Sequence, residues 1–250
     1  MGMSGFVDLH VHILPGIDDG AQRWEESLEM ARGACACGTS MVVATPHLDL
    51  DSPRFEPNQV IGLTQEISVR IKEAGISLTV LPGLEMRMCT ALSRTAKSGG
   101  DLAPYTLNQN GRYLLFDFPL SEVPLLTLDA CFSLRLQGIQ PVLAHPERNR
   151  ELASKGPLLK SFIASGLLIQ INGGSLLGLH GRKARKAAFA LLKEKRVHAV
   201  ASDAHSAGRA LDLRQAQVTA RTLCGDAYTR AIFNDNPFRM CMGEPLPACT

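Results

Sequence analysis

The sequence has no Cys-x-x-Cys pair, no run of 18 consecutive apolar residues, and no basic segment leading into an apolar one at its N-terminus. The first absence argues against a thiolate metal site, the second against a membrane span and the third against a secretory signal. The cysteines (Cys35, Cys37, Cys89, Cys131, Cys224, Cys241 and Cys249) are odd in number and scattered. Such a distribution fits a reducing, cytoplasmic setting better than a disulfide framework. None of them opens a glycine-rich Cys-x5-Arg phosphate loop, so a cysteinyl-phosphate route is not expected. A dominant charge is also missing. The 26 basic residues nearly balance 24 acidic ones, for a net charge of +2, which speaks against a surface built for nucleic acid or acidic lipid.

What is present reads as one globular domain. Hydrophobic residues make up 45% and charged residues 20% of 250 positions, a length that an α/β barrel takes as a single unit spanning residues 1–250. Short apolar runs alternate with longer amphipathic stretches. Strands are predicted at 6–12, 39–45, 76–81 (running on to Glu85), 113–118, 140–145, 168–172 and 198–203. Helices are predicted at 24–37, 57–74, 123–137, 157–165, 183–195 and 213–224, the first stopped by Gly38 and the second by Gly75. Seven strands alternating with helices imply parallel pairing through right-handed crossovers. The fold class is therefore α/β, a β/α barrel or a distorted version of one.

Chemistry gathers at the C-terminal strand ends, where barrels of this kind place catalysis. His10 and His12 close the first strand, and the period of two sets both imidazoles on one face, with Leu9 and Val11 on the other. His47 follows the second strand, Glu85 the third, Asp117 ends the fourth, His145 the fifth, and Asp203 and His205 follow the seventh. A single histidine there would be an ordinary surface residue. A ring of imidazoles and carboxylates at one level is a divalent-metal site, and mixed nitrogen and oxygen donors suit manganese, iron or zinc. In Gly16-Ile17-Asp18-Asp19-Gly20, Asp19 is the acid read as turning back to the metals, whereas Asp18 reads as an acidic turn residue. Arg148, three residues past His145, suits bidentate phosphate binding; the competing reading is a surface salt bridge to Glu147 or Glu151. His198 starts its strand, roughly 16 Å from Asp203, and reads as structural. His180 reads as a surface loop residue.

These residues stand in a context that resembles a known family. The opening DLHVHILPGIDDGAQRWEESLEMAR is similar to the first motif of the polymerase and histidinol phosphatase (PHP) superfamily. The segments VVATPH, PGLEM, LLFDFP, PVLAHPERN, LIQINGGSLLG, ASDAH and FNDNP follow in collinear order. HILPGIDDG, AHPER and QINGGSLLG narrow the resemblance to the bacterial PHP-type protein tyrosine phosphatases of capsule and exopolysaccharide synthesis. The resemblance implies a distorted (β/α)7 barrel with two or three divalent metals, commonly manganese. By matching motif, the metal ligands would be His10, His12, Asp19, His47, Glu85, Asp117, His145, Asp203 and His205. Arg148 would contact phosphate, and the substrate would be a phosphotyrosine protein, a bacterial tyrosine autokinase. One position departs from the pattern: Asp117 stands where these phosphatases usually carry Glu.

The expected reaction is in-line attack on a phosphomonoester, with Arg148 and cations neutralising the equatorial charge. Asp203 or His205 would relay a proton through water. Three other readings stay open at this level. Another PHP phosphoesterase, acting on histidinol phosphate or a similar small ester, shares the His-x-His motif. An amidohydrolase would need a metal-bridging lysine, and no lysine ends any predicted strand. A non-catalytic barrel would not be expected to keep nearly every ligand.

Overall fold

The computed structural model describes residues 5–154, 156–207 and 213–247, so that Cys249 lies outside the described residues. Short, mostly buried segments form the strands β1 Phe6–Val11, β2 Thr39–Ala44, β3 His47–Leu48, β4 Thr79–Pro82 and β5 Glu85–Arg87. They continue with β6 Tyr113–Asp117, β7 Gln140–Ala144, β8 Leu168–Asn172 and β9 Ala199–Ala201. All pairings are parallel, in the orders β1-β2-β4 and β3-β5-β6-β7-β8-β9. Parallel strands buried on both faces need helices outside them. These are supplied by Trp24–Ala36, Pro57–Glu73, Thr90–Ser98, Thr127–Leu136, Gly156–Ala164, Gly181–Lys193 and Leu213–Cys224. None of the described helices is long and apolar enough to cross a membrane.

The nine strands occupy seven positions around the barrel. Strand β2 runs on into β3 after Thr45-Pro46, where proline removes a ladder donor, and β4 runs on into β5 after Gly83-Leu84. The predicted strand from 76 to Glu85 is thus two pieces, split where Gly83 passes so close to Val43 that a Cβ would lie 2.6 Å from its Cγ1. The two sheets join at β1 and the end of β9: Asp203 N–H donates to His10 O and His12 N–H to Ala204 O, both at 2.9 Å. The helix predicted from Val123 starts only at Thr127, because Pro124 disfavours helical geometry at Val123.

Two apolar layers result. Val7, Leu9, Met41, Val43, Leu115, Val142, Ala144, Ala199 and Ala201 fill the barrel, while Val11, Val42, Phe116, Leu143, Ile169, Ile171 and Val200 pack outward under the helices. Leu9 and Val11 therefore lie in different layers, contrary to simple alternation. The cause is a register shift: Asp8 pairs with Val42 and Val11 with Ala44, three steps along β1 against two along β2. A bulge of this kind re-aims the side chains beyond it, here His10 and His12. Below the barrel, 226–242 forms helical turns that the sequence pattern does not predict, and their Met240 and Cys241 plug the interior. The helix Thr90–Ser98 is likewise additional to the predicted set.

Candidate active site

At the C-terminal rim the strands deliver their polar ends to one point. His10 Nε2 lies 3.1 Å from His12 Nε2, 3.2 Å from Glu85 Oε2 and 3.3 Å from Asp203 Oδ1. His12 Nε2 lies 3.6 and 3.5 Å from the same two oxygens. The far ring nitrogens determine what those Nε2 atoms are. His12 Nδ1 faces Asp18 Oδ2 at 2.6 Å, and His10 Nδ1 faces Gln170 Oε1 at 3.1 Å. The Gln170 amide is oriented because its Nε2 donates to Asn172 Oδ1 at 3.0 Å. Both Nδ1 atoms meet acceptors and so carry the protons of the neutral rings, which leaves both Nε2 atoms as lone pairs.

Four acceptors thus face one another with no donor between them. Within this group Glu85 Oε2 meets no donor; its nearest nitrogen, His47 Nδ1 at 2.7 Å, lies outside it. Spacings of 3.1–3.6 Å fit donors that each stand about 2.0–2.2 Å from a shared cation. The donor set therefore fits a divalent metal. Around it, ligand atoms within 4.8 Å of one another form the groups His12–Asp19–His47–His205, His10–His145–Asp203 and His47–Glu85–Asp117. All nine residues carried over as ligands are thus brought into one set of overlapping clusters. A separate group, Asp49–Asp51–Cys89, has a local role. Asp51 accepts from Thr90 and Ala91 N–H at 3.0 and 2.8 Å, satisfying the start of the helix Thr90–Ser98.

Backbone geometry supports this convergence. His145 and Asp203 both adopt left-handed backbone, at φ 33° and 56°, a conformation costing of order 1–3 kcal/mol in non-glycine residues and concentrated at functional sites. Gly20 allows the acidic loop to fold back, since a Cβ there would stand 2.1 Å from His12 O. Asp18 departs from the role its sequence context suggests. It is no ordinary turn acid, because one carboxylate orients His12, accepts His47 N–H at 3.1 Å and caps Gly20 N–H at 3.0 Å. Asp19 is largely exposed, 3.5 Å from both His47 Nε2 and His205 Nε2. His205 Nδ1 donates to Asp203 O at 2.9 Å, which frees its Nε2, and its ring stacks on His12 with centroids 3.8 Å apart.

The charge balance is acid-rich. Burial alone would lower the His12 pKa, but Asp18, Asp203 and Glu85 push it up to about 10. His145, against the same effect of burial, rises to about 9 through its bond to Glu85. Burial opposes ionisation of Glu85 and Asp203, yet the surrounding histidines hold both well below the usual carboxylate range. Asp117 moves the other way, to about 7, through burial and the Glu85 charge, with Arg87 opposing. A pocket that draws protons onto imidazoles this strongly is one that a metal cation would satisfy.

Arg148 Nη1 donates to Asp203 Oδ2. Its salt bridge is therefore neither to Glu147 nor to Glu151. Glu147 is buried, accepting Asn172 N–H at 2.9 Å and Ser175 O–H at 2.7 Å, and Glu151 accepts Val123 N–H at 2.9 Å. His180 is exposed, 3.0 Å from Ser175 Oγ, and His198 lies at the opposite end of the barrel, accepting Ile169 N–H. Gln170 and Asn172, which orient His10 and Asp203, are site residues that the sequence pattern alone does not single out. Their place on the inner face of a strand ending in the QINGG motif is the available signal. Beside the cluster opens a 380 Å³ pocket whose walls include Asp19, His47, Arg54, Glu85 and Arg87 and no lysine. Cys224 and Arg230 have Cys-x5-Arg spacing, but Cys224 ends a helix with its thiol donating to Ala220 O at 3.0 Å, so they form no phosphate loop.

The chain is similar to known proteins over most of its length. The tyrosine-protein phosphatase YwqE of Bacillus subtilis is 37% identical over 80% of this chain and 77% of its own length. The putative tyrosine-protein phosphatase CapC of Staphylococcus aureus is 33% identical over the same shares. A crystal structure from a study of YwqE and Streptococcus pneumoniae CpsB, described as metal-dependent tyrosine phosphatases, superposes with a TM-score of 0.88 at 32% identity over 96% of both chains. Histidinol phosphate phosphatase of Lactococcus lactis shares the fold at a TM-score of 0.52 and 16% identity, over 86% of this chain and 94% of its own. The distorted barrel expected from the sequence is thus the fold of this protein. The profile of the capsular polysaccharide synthesis CpsB/CapC family matches residues 6–242, and the chain belongs to that family.

Proposed function

We propose that this protein is a metal-dependent protein tyrosine phosphatase. The observation that carries the reading is the four-acceptor cluster of His10, His12, Glu85 and Asp203, whose donors lie 3.1–3.6 Å apart with both imidazole lone pairs turned inward. It stands in a chain whose relatives are named tyrosine-protein phosphatases. The nine residues His10, His12, Asp19, His47, Glu85, Asp117, His145, Asp203 and His205 would hold two or three divalent metals, with manganese the proposed ion. When bound, such metals lower the pKa of water toward neutrality and neutralise phosphoryl oxygens.

The chain's own residues do the rest. Arg148, tethered through Nη1 to Asp203, presents its remaining N–H donors to the phosphoryl group and counters equatorial charge. Asp18 and Gln170 keep His12 and His10 in the ligating tautomer. His205, with Nδ1 on a carbonyl, turns Nε2 to the rim 3.5 Å from Asp19; committed there to a metal, that nitrogen leaves proton transfer to water. The leaving phenolate has a pKa of about 10 and needs less help from a general acid than an alkoxide does. The seven cysteines take no part.

The proposed substrate is a phosphotyrosine segment of a bacterial tyrosine autokinase, met in the cytoplasm, with the whole chain acting as one domain. The test is a substrate panel on chelator-stripped and manganese-restored protein, covering phosphotyrosine and phosphoserine peptides and histidinol phosphate. Phosphotyrosine turnover that disappears on stripping and returns with manganese is expected. Preference for histidinol phosphate would move the protein to another PHP phosphoesterase activity, and full turnover without metal would end the reading.

A further inference from the structure

Two carboxylates in the site are divided between the ligand cluster and an arginine. Asp203 turns Oδ1 toward His10 and His12 and gives Oδ2 to Arg148. Asp117 gives Oδ2 to Arg87 Nη1 at 2.9 Å, while its Oδ1 is buried without a hydrogen-bond partner. Asp117 also belongs to the His47–Glu85 cluster. Arg148 has a role in the reading above, whereas Arg87 has none.

Arg87 and Asp117 are direct partners in the β5–β6 register, so the ion pair spans one interstrand spacing, about 4.8 Å. That proximity bears on the departure at this position. Aspartate has one methylene fewer than the glutamate usual in the resembling phosphatases, and its carboxylate stays closer to its own strand. Left alone, it would also carry a buried charge beside Glu85, which is disfavoured by desolvation. A guanidinium on the neighbouring strand offsets that charge and holds one oxygen, which restricts where the other oxygen faces. Carboxylate ligands are commonly held in this way by a group that does not itself touch the metal.

We propose that Arg87 is a positioning residue: by holding Oδ2 of Asp117 it directs Oδ1 to the divalent metal shared with His47 and Glu85, and so compensates for the shorter arm. The inference rests on the metal-centre reading. It makes the metal held by Asp117 depend on an arginine that lies outside the ligand set, on the wall of the 380 Å³ pocket.

The test is calorimetric titration of chelator-stripped protein with manganese, without any activity readout. Arg87→Gln should weaken one site about 10- to 100-fold and leave the remaining binding unchanged. Arg87→Lys should recover part of that loss, since it keeps the charge but not the planar fork. Adding Asp117→Glu to Arg87→Gln should recover most of it, because the longer arm needs less tethering. Thermal unfolding of the stripped proteins checks that each variant is folded. An Arg87→Gln protein that titrates like wild type overturns the role. So does a uniform weakening of every site that neither second substitution rescues, which is the mark of general structural damage. A wild-type chain that takes up no manganese removes the centre and this role together, whereas normal wild-type uptake with an indifferent Arg87→Gln removes the role alone.

Discussion

His12 and His198 are imidazoles of one barrel, set at opposite ends, and their surroundings drive them in opposite directions. For His12, burial is outweighed by Asp18, Asp203 and Glu85, and the pKa rises to about 10. For His198, burial is reinforced by the Arg196 charge, and the pKa falls to about 4. Burial alone therefore does not distinguish a ligand from a structural residue. The sign of the neighbouring charge does, and that sign follows from position along the strand. At the C-terminal rim the charges facing the imidazole are acidic, whereas the charge facing His198 is Arg196. The rim also carries the left-handed backbone of His145 and Asp203 and the β1 bulge, while the other end is closed by the apolar plug of Met240 and Cys241. Left-handed non-glycine backbone also occurs at Asn108, Gln109 and Lys195, so what sets the rim apart is that its two such residues belong to the cluster of imidazoles and carboxylates.

The contrast between the two ends is most exposed at Glu85, which faces His10, His12, His47 and His145 at once. Glu85→Gln should lower kcat/KM on an aryl phosphate by roughly a thousandfold or more, with loss of bound metal. Near-normal turnover with undiminished metal content would mean that the rim is not the active end. Next in size is Arg148→Ala. Removing a preorganised donor should cost about 2–4 kcal/mol of transition-state stabilisation with metal content unchanged, and Arg148→Lys should recover only part. Steady-state kinetics with metal analysis separates this from a structural effect. Smaller again is Asp18→Asn, which exchanges the acceptor that fixes the His12 tautomer for a weaker one. Metal affinity should fall about 10- to 100-fold, read by competition with a chelating dye. Unchanged affinity would leave Asp18 as a turn residue.

The rim is legible in the sequence because a strand that ends in His or Asp exposes its pattern in one dimension. The runs VDLHVH, PVLAH and VASD by themselves place His10, His12, His145 and Asp203 at strand ends. What the sequence hides is whatever depends on a second strand. The bulge that separates Leu9 from Val11 exists only in the register of β1 against β2. Asp18 and Asp19 are adjacent and chemically identical, and only the folded loop turns one inward beneath His12 and leaves the other exposed. Glu147 reads as a surface acid because its partners, Asn172 and Ser175, lie 25 and 28 residues away, on β8 and in the short helix that follows it. The C-terminal plug lacks a strong period, since it is short, bent through a π-helical stretch, and held by side chains of Asn108 and Asn110 from the segment before β6.

The smallest expected effect on turnover is at His198, the opposite pole of the contrast. His198→Asn should change kcat/KM less than about twofold, as expected for a site remote from the chemistry. Its signature is in stability against pH. His198 Nδ1 accepts Ile169 N–H at 3.0 Å, so the folded state needs the ring neutral. Its pKa is about 4 when folded, against an ordinary value of 6.5. The unfolded chain therefore binds a proton below pH 6.5 that the folded chain refuses until about pH 4. A depressed folded pKa contributes stability that is complete above the unfolded value and is lost as pH falls through this window. The full span corresponds to at most about 3 kcal/mol, reduced by the partial exposure of the ring. Asparagine can still accept the Ile169 bond but cannot titrate. On acidification from about pH 7 to about pH 5 the wild type should thus lose more stability than His198→Asn, as measured by denaturant unfolding of both proteins under one metal condition. Titrations at the rim are common to both proteins and cancel in the difference. Parallel losses would show that His198 is not held neutral by the fold, and the contrast with His12 would then rest on the rim alone.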